Sequence, residues 1–333
     1  MKIYHYVTAS LLTALFMGGT AAESSAQRLY NGFAPYSSVS FGVGSSHYYG
    51  DLAGYRRGLR ATYIMPRWNV GLGYTRQFTP KFAARAMFTW ARISGDDYTF
   101  NKVDPLKYVQ QYARNLHFRN DLKEFSITGI YNFIPDGRNS NARAKITPYV
   151  FGGLALLAHS PEARTPYNES SPDSSRRWVK LQPLRTEGQG QPGKDKPYSL
   201  VTLAVPVGIG VRYTFNESFN IGFEIGYRYT FTDYLDDVGG NPYPDLNSLQ
   251  GIAGEMSNRR FERIAARKRN GPDRYAVLED LFNNGTAEEK AAIQGALETP
   301  LRGGSGILRD GYVLTNLSIH YIIPGKIKCP PIK

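Results

Sequence analysis

With a single cysteine, Cys329, among 333 residues, the chain has no internal disulfide. No stretch approaches the about eighteen consecutive apolar residues of a membrane helix. The five histidines, His5, His47, His117, His159 and His320, are scattered, which leaves little for a histidine metal site or a His-based catalytic centre. Acidic residues are in deficit: 28 Asp and Glu face 40 Lys and Arg, a formal charge of +12. No Pro/Ser linker divides two cores, so one domain with long loops is expected.

What is abundant is alternation. Between Leu200 and Asp237 two runs flank the turn Asn216-Glu217-Ser218. Val201, Leu203, Val205, Val207, Ile209, Val211 and Tyr213 share one phase of the first run; Phe219, Ile221, Phe223, Ile225, Tyr227 and Tyr229 share one phase of the second. Glycines and charged residues such as Arg212, Glu224 and Arg228 fill the other phase. Period-two alternation marks strands, and these exceed the usual five or six residues. A soluble sandwich alternates too, but a strand crossing a bilayer needs about 9–11 residues with apolar side chains toward lipid. Tyr 24, Phe 17 and Gly 34 suit aromatic girdles and tight lumens.

Lys2, the apolar stretch Val7 to Met17, and Ala22 or Ala26 read as a secretory signal peptide over residues 1–26. Residues 27–324 then read as an all-β, antiparallel transmembrane β-barrel of about eight strands, and residues 325–333 as a periplasmic tail. Strands are expected from Val39 toward Tyr49, at Trp68 to Tyr74, Phe82 to Trp90, Phe125 to Phe133, Ile146 to Ala158, in the two runs above, and at Val313 to Ile323. Short turns alternate with long segments. An even count places both termini on the periplasmic side of the outer membrane of a Gram-negative bacterium. Pro206 lacks a ladder donor and is expected at a bulge.

A barrel this small has an interior just wide enough for side chains. Arg85, Glu124, Arg212, Glu224 and Arg228 fall in the inward phase and are expected to form a paired charge network plugging the lumen. In the tail, Lys326, Lys328 and Cys329 are candidates for a partner contact or an intermolecular disulfide. The long outward loop at residues 238–308 carries helical signals: an apolar stripe of Val277, Leu278, Leu281 and Phe282, and a capping box of Thr286 and Glu289 opening Ala287 to Leu297. Its basic run of Arg259, Arg260, Arg263, Arg267, Lys268 and Arg269 reads first as a solvated helix face, with lipopolysaccharide phosphates or a protein partner as alternatives and nucleic acid last. Asp51, Asp96, Asp97, Asp233, Asp236 and Asp237 gather at strand ends; a calcium site competes there with solvated loop caps. Ser45, His47 and Asp51 supply the residue types of a hydrolytic triad, as a lipid-modifying barrel enzyme needs, but lone polar residues account for them as well. No catalytic, cofactor or metal-ligand set is assigned.

Five fragments in order suggest a family. They are Ser46-His47-Tyr48-Tyr49-Gly50-Asp51-Leu52, Arg114-Asn115-Leu116-His117-Phe118, Pro148-Tyr149-Val150-Phe151-Gly152-Gly153, Leu181 to Gly190 (LQPLRTEGQG) and Thr232-Asp233-Tyr234-Leu235-Asp236-Asp237-Val238. Together they resemble the PorG-like outer-membrane proteins of the type IX secretion system. The resemblance runs from about Ser40 to Val238 and resumes in the final strand. It implies a non-enzymatic barrel of the secretion and gliding machinery, associated with a periplasmic ring of PorK-like lipoprotein and PorN-like protein. The extended last loop departs from a compact family member. A surface-binding barrel for adhesion or lipopolysaccharide contact is the alternative from a different class.

Overall fold

The computed structural model describes residues 33–53, 63–167, 176–245, 249, 251–268, 271–303 and 309–324. The expected signal peptide, the tail residues Lys326, Lys328 and Cys329, and Arg269 lie outside them. Eight long strands form the wall: β1 (Tyr36–Tyr49), β2 (Arg67–Gln77), β3 (Phe82–Asp96), β4 (His117–Asn132), β5 (Ile146–Ala158), β8 (Val201–Thr214), β9 (Phe219–Thr230) and β10 (Gly311–Ile323). Each pairs antiparallel with the next, and β10 pairs with β1, which closes the sheet into a barrel. Two short strands, β6 (Pro161–Arg164) and β7 (Trp178–Lys180), extend the edge of β4 beyond the wall.

The register fixes the shape. Following paired residues once around the wall from Ser37, through Arg76, Ala84, Gly129, Gly152, Val207, Tyr227 and Val313, returns to β1 at His47, ten residues along. That stagger accompanies a strand tilt of about 35–45°. Residues 78–81, 133–145 and 215–218 make the connections at one end, where the described chain also enters and leaves. The connections at the other end are long, and the two ends are called the turn end and the loop end below.

Side-chain phase then decides what faces the surroundings. Phe41, Leu72, Leu154, Ile209 and Ile319 are 56–64% exposed, members of an apolar belt around the wall of a kind that soluble monomers rarely expose. Outward residues of β3 from Phe82 to Trp90 span about 19–22 Å of height at about 3.3 Å per residue and this tilt, most of the about 25 Å of an outer-membrane barrel's apolar band. Trp68 and Trp90 meet edge to face at 5.0 Å on the loop-end border; Phe82 packs on Tyr131 at 5.0 Å on the turn-end border. Among the described residues no helix is long and apolar enough to cross a membrane. The strands do so instead.

Inside, the charges are paired. Arg85 binds Glu224, which also accepts from the Tyr149 hydroxyl at 2.6 Å. Arg228 lies 3.5 Å from Glu124, which accepts from Tyr312. Arg212 takes a partner outside the expected five, Asp136 of the β4–β5 turn, at 3.1 Å, and Tyr36 donates to the same carboxylate at 2.7 Å. The glycines of β8 and β9 leave space for rings: a Cβ on Gly208 would meet Phe151 at 2.5 Å, and one on Gly210 would meet Tyr149 at 2.5 Å. Arg85 in turn lies over the Phe151 ring at 5.0 Å.

Pro206 makes no bulge. The register of β8 with both neighbours is unbroken through it. Phe215 N–H donates to Phe219 and Phe231 N–H to Leu203, while Thr214 N–H donates to Lys145, so even-numbered residues of β8 bond toward β5. The missing donor of Pro206 therefore faces β5, where the pairing lapses at Gly153 and Leu154 and resumes at Gly152 and Ala155. A proline is accommodated by losing one rung rather than by adding a residue.

Above the belt the polarity of the wall inverts. Ala91, Ile93, Phe118, Leu122, Leu157 and Leu314 point inward and are buried in one apolar cluster with Tyr48 of β1 and with Leu52, Leu235 and Val238 of the loops. Arg92, Arg119, Asp121 and Lys123 point outward. The barrel is thus lipid-facing at mid-height and built like a soluble sheet at its loop end. Replacing Arg85 with Ala strands Glu224 in the lumen, at a cost of about 3–5 kcal/mol. The urea midpoint of the folded, heat-modifiable band falls accordingly, and the double variant Arg85→Leu with Glu224→Leu recovers most of the loss.

Candidate functional site

Among the described residues, five short α-helices and the long connections cover the loop end. They are α1 (Asp97–Asn101), α2 (Val109–Arg114), α3 (Ile252–Ser257), α4 (Arg274–Asn284) and α5 (Ala287–Glu298). Asp273 caps α4 by accepting from the amides of Tyr275 and Ala276, and Thr286 with Glu289 forms the expected capping box on α5. Leu278 of the predicted stripe is buried with Ile293 and Ala296 against Tyr98, Tyr112 and Ala113, and Val277 and Leu281 pack on that cluster. Phe282 stays 38% exposed.

The sequence fragments that looked distinctive converge beneath these helices. Arg114 grips Asp97 with two bonds of 2.8 Å and donates to the carbonyls of Asp51 at 2.9 Å and Arg302 at 3.2 Å. Arg302 donates to the Asp237 carbonyl at 2.6 Å and to its carboxylate at 3.2 Å, and lies 3.4 Å from Glu187. Thr186 and Tyr198 donate to Asp237, the latter at 2.6 Å. Glu187 also accepts from the Gly239 amide and the Asn241 side chain, each at 3.1 Å. Buried charges survive only when so fully bonded. Sequence reading singled out Arg114, Thr186, Glu187 and Asp237 inside fragments; it missed Arg302, whose signal is nothing more than a basic residue in a loop.

The basic run does not form a helix face. It lies between α3 and α4 in irregular chain. Arg259 is fully buried, with Nη1 donating to the Arg164 carbonyl at 2.7 Å and Nε to Glu262 at 2.7 Å. Arg260 reaches the Thr299 carbonyl at 2.9 Å, and Arg274 binds the carbonyls of Tyr112, Arg260 and Glu262. Guanidinium groups here staple loop carbonyls that no helix or sheet satisfies. Arg263 and Lys268 alone of the described members are exposed.

The aspartates also divide. Asp97 and Asp237 serve the arginines, and Asp96 accepts from Thr99. Asp236 and Asp310 share the Tyr48 hydroxyl, at 2.7 and 2.6 Å. Their other oxygens accept the amides of Val238 and Leu235, each at 2.9 Å. Gly50 is needed at this contact, because a Cβ there would lie 1.8 Å from the Tyr48 hydroxyl and 2.0 Å from Asp310. Among the described residues no group of three or more His, Cys, Asp or Glu is arranged to hold a metal ion. Burial, with Asp310 and Asp51 nearby, raises Asp236 well above the usual carboxylate range; burial, with Asp233 and Asp51 nearby, does the same for Asp310. Burial first, and Asp51 next, push Asp233 up to about 6.

Ser45 and His47 do meet, Oγ to Nε2 at 2.8 Å, with Thr315 Oγ1 2.7 Å from the same hydroxyl. Asp51 does not join them. Its charge acts on the Asp236 and Asp310 pair instead.

The carboxyl pair makes the cap sensitive to pH. Unfolded aspartate titrates near about 3.9, and both carboxyls hold their proton to higher pH when folded. The stability drawn from protonation is complete below the unfolded value and is lost as pH rises through the folded values. Hydrogen-exchange protection factors of the amides of residues 233–238, corrected for the intrinsic base-catalysed rate, are therefore lower at pH 8 than at pH 5, and Asp310→Asn flattens that difference.

A family model described as a domain of unknown function (DUF6089) matches residues 31–176 and 189–258. No curated protein matches by sequence. Among solved structures, Neisserial surface protein A (NspA) is 7% identical over 86% of this chain and 98% of its own, with a TM-score of 0.37. Ail, the attachment invasion locus protein of Yersinia pestis, is 9% identical over 87% and 99%, at 0.33. The outer membrane enzyme PagL is 10% identical over 86% and 99%, at 0.26. With a closed eight-stranded wall and a family match across most of its length, the chain belongs to the DUF6089 family.

Proposed function

We propose that this outer-membrane barrel is a non-enzymatic component of a type IX protein secretion and gliding machine. Its short turns and both termini face the periplasm and meet a ring of PorK-like lipoprotein and PorN-like protein; its loop end faces outward. The observation that carries this reading is the convergence of the PorG-like fragments. Tyr48, Arg114, Thr186, Glu187, Asp236 and Asp237, from four separate fragments, build one bonded cap over a lumen already filled by ion pairs. A filled lumen under a stapled cap suits a fixed scaffold and not a conduit.

A surface-binding role is favoured by one separate observation, the guanidinium groups exposed around the loop-end rim. Deleting residues 244–299, which spares Asn241 and Arg302 of the cap, separates the two readings: secretion persists and surface contacts fall if the loop serves binding alone.

When a tagged full-length chain is drawn from detergent-solubilised outer membranes, the ring proteins accompany it. Replacing Arg138 to Asn141 with Gly/Ser residues, which spares Asp136, or Lys326 and Lys328 with Gln, reduces that recovery at least several-fold and lowers secretion. Undiminished recovery and secretion reject the docking assignment. On non-reducing gels, Cys329→Ser abolishes a higher-mass species if the tail thiol is bonded to a partner.

A further inference from the structure

Charge on the loop-end rim is not evenly matched. Arg92 at the top of β3 binds Asp121 with two bonds of 2.5 and 2.7 Å and lies over the Trp68 ring at 5.6 Å. Arg119 pairs with Glu162 at 2.8 Å and stacks on Trp178 at 4.0 Å. Arg67 and Arg267 differ from these. Arg67 has a hydrogen bond to the carbonyl of Pro66 at 3.0 Å, and Arg267 reaches the Met65 sulfur at 3.9 Å. No salt bridge joins either to a carboxylate among the described residues.

These two groups are also close enough to oppose each other. Arg267 reaches Met65 and Arg92 lies over Trp68, so all three guanidiniums converge on the short segment that carries Arg67. Nearby, burial and the charges of Arg259, Arg267, Arg176 and Arg164 hold His117 well below its usual range, so it stays neutral and accepts the Arg164 amide at 2.9 Å. The buried Asp96 acts on both guanidiniums, but with Arg92 bonded to Asp121 the three partly exposed cations still face only two carboxylates, and a planar or tetrahedral oxyanion matches the remaining charge. Phosphate fits the donor forks.

Position narrows the source of that phosphate. Arg67 immediately precedes Trp68, and Arg92 stands two residues beyond Trp90. The two tryptophans border the apolar belt, so the guanidiniums lie at headgroup height beside the acyl layer. A molecule spanning both has acyl chains along the belt and phosphate on its sugar or headgroup.

We infer that Arg67, Arg92 and Arg267 form a binding site for the phosphate of a phosphorylated glycolipid in the outer leaflet. The inference rests on the loop end facing outward, as proposed above. Asp121 remains bonded to Arg92 and orients it, while Arg67 and Arg267 share the buried Asp96 and leave one positive charge unmatched.

The test uses purified full-length protein in a zwitterionic detergent and measures its affinity for three probes: bisphosphorylated lipid A, the same lipid A with both phosphates removed, and phosphatidylglycerol. Bisphosphorylated lipid A binds at least tenfold more tightly than either of the others, and its affinity falls with added salt. The double variant Arg67→Gln with Arg267→Gln loses about tenfold for that probe alone, keeps its heat-modifiable migration, and leaves Lys290→Gln on α5 as an unaffected control. Should the double variant fail to fold, the wild-type comparison of phosphorylated with dephosphorylated lipid decides by itself. Equal affinity for those two overturns the site. So does equal affinity for phosphatidylglycerol, or complete displacement by millimolar inorganic phosphate, which marks a free-anion site. Because binding is read on the isolated protein, a negative result leaves the secretion assignment standing, and loss of ring recovery leaves the lipid result intact.

Discussion

A backbone crossing hydrocarbon has no water to bond, so each amide and carbonyl of the wall must find a neighbouring strand. Closure of β10 onto β1 meets that demand and, with it, fixes which side chains look outward. The ten-residue stagger leaves parity intact around the ring, so a strand that slipped by one residue would turn its charges to lipid. Arg85 and Arg228 can sit inside because register holds them opposite Glu224 and Glu124, and Arg212 because the β4–β5 turn brings Asp136 to it. Pro206 shows how firm this is: one rung is surrendered and the phase is kept.

The same physics explains the change at the loop end. Once the wall rises beyond the acyl layer, outward residues meet water or headgroups and inward ones meet folded loops. Ile93, Phe118 and Leu122 then become core, while Arg92, Arg119 and Asp121 become surface. Loops without regular structure carry many unmatched carbonyls, and arginine, with five donors on a flat fork, satisfies several at once. Arg114, Arg259, Arg274 and Arg302 do this, which is why part of the chain's basic surplus is buried rather than solvated.

Much of this was legible in the residues. Apolar alternation located all eight wall strands and both short turns flanked by aromatic residues, since period two and lipid exposure leave the same mark. Thr286 and Glu289 announced α5 because capping is local. The upper ends of β3 and β4 were not found: alternation continues there, but with apolar residues on the opposite face, so a search for one unbroken apolar row stops at Trp90 and starts near Phe125. Strands β6 and β7 carry too few residues for any period. The charged partners of Arg302 and Asp136 are more than sixty residues away in sequence, and nothing local signals such a contact.

At the root of the last loop, Pro242 bridges to Leu301, and the amides of Tyr243 and Arg302 donate to Pro300 and Asn241. Chain leaving and re-entering through so narrow a neck can grow with little entropic penalty, because closure entropy rises only with the logarithm of length. The family match ends at residue 258, inside this excursion, and α4 and α5 lie beyond it. The neck therefore acts as a graft junction: sequence can be gained or exchanged between its two sides while β9 and β10 stay zipped below.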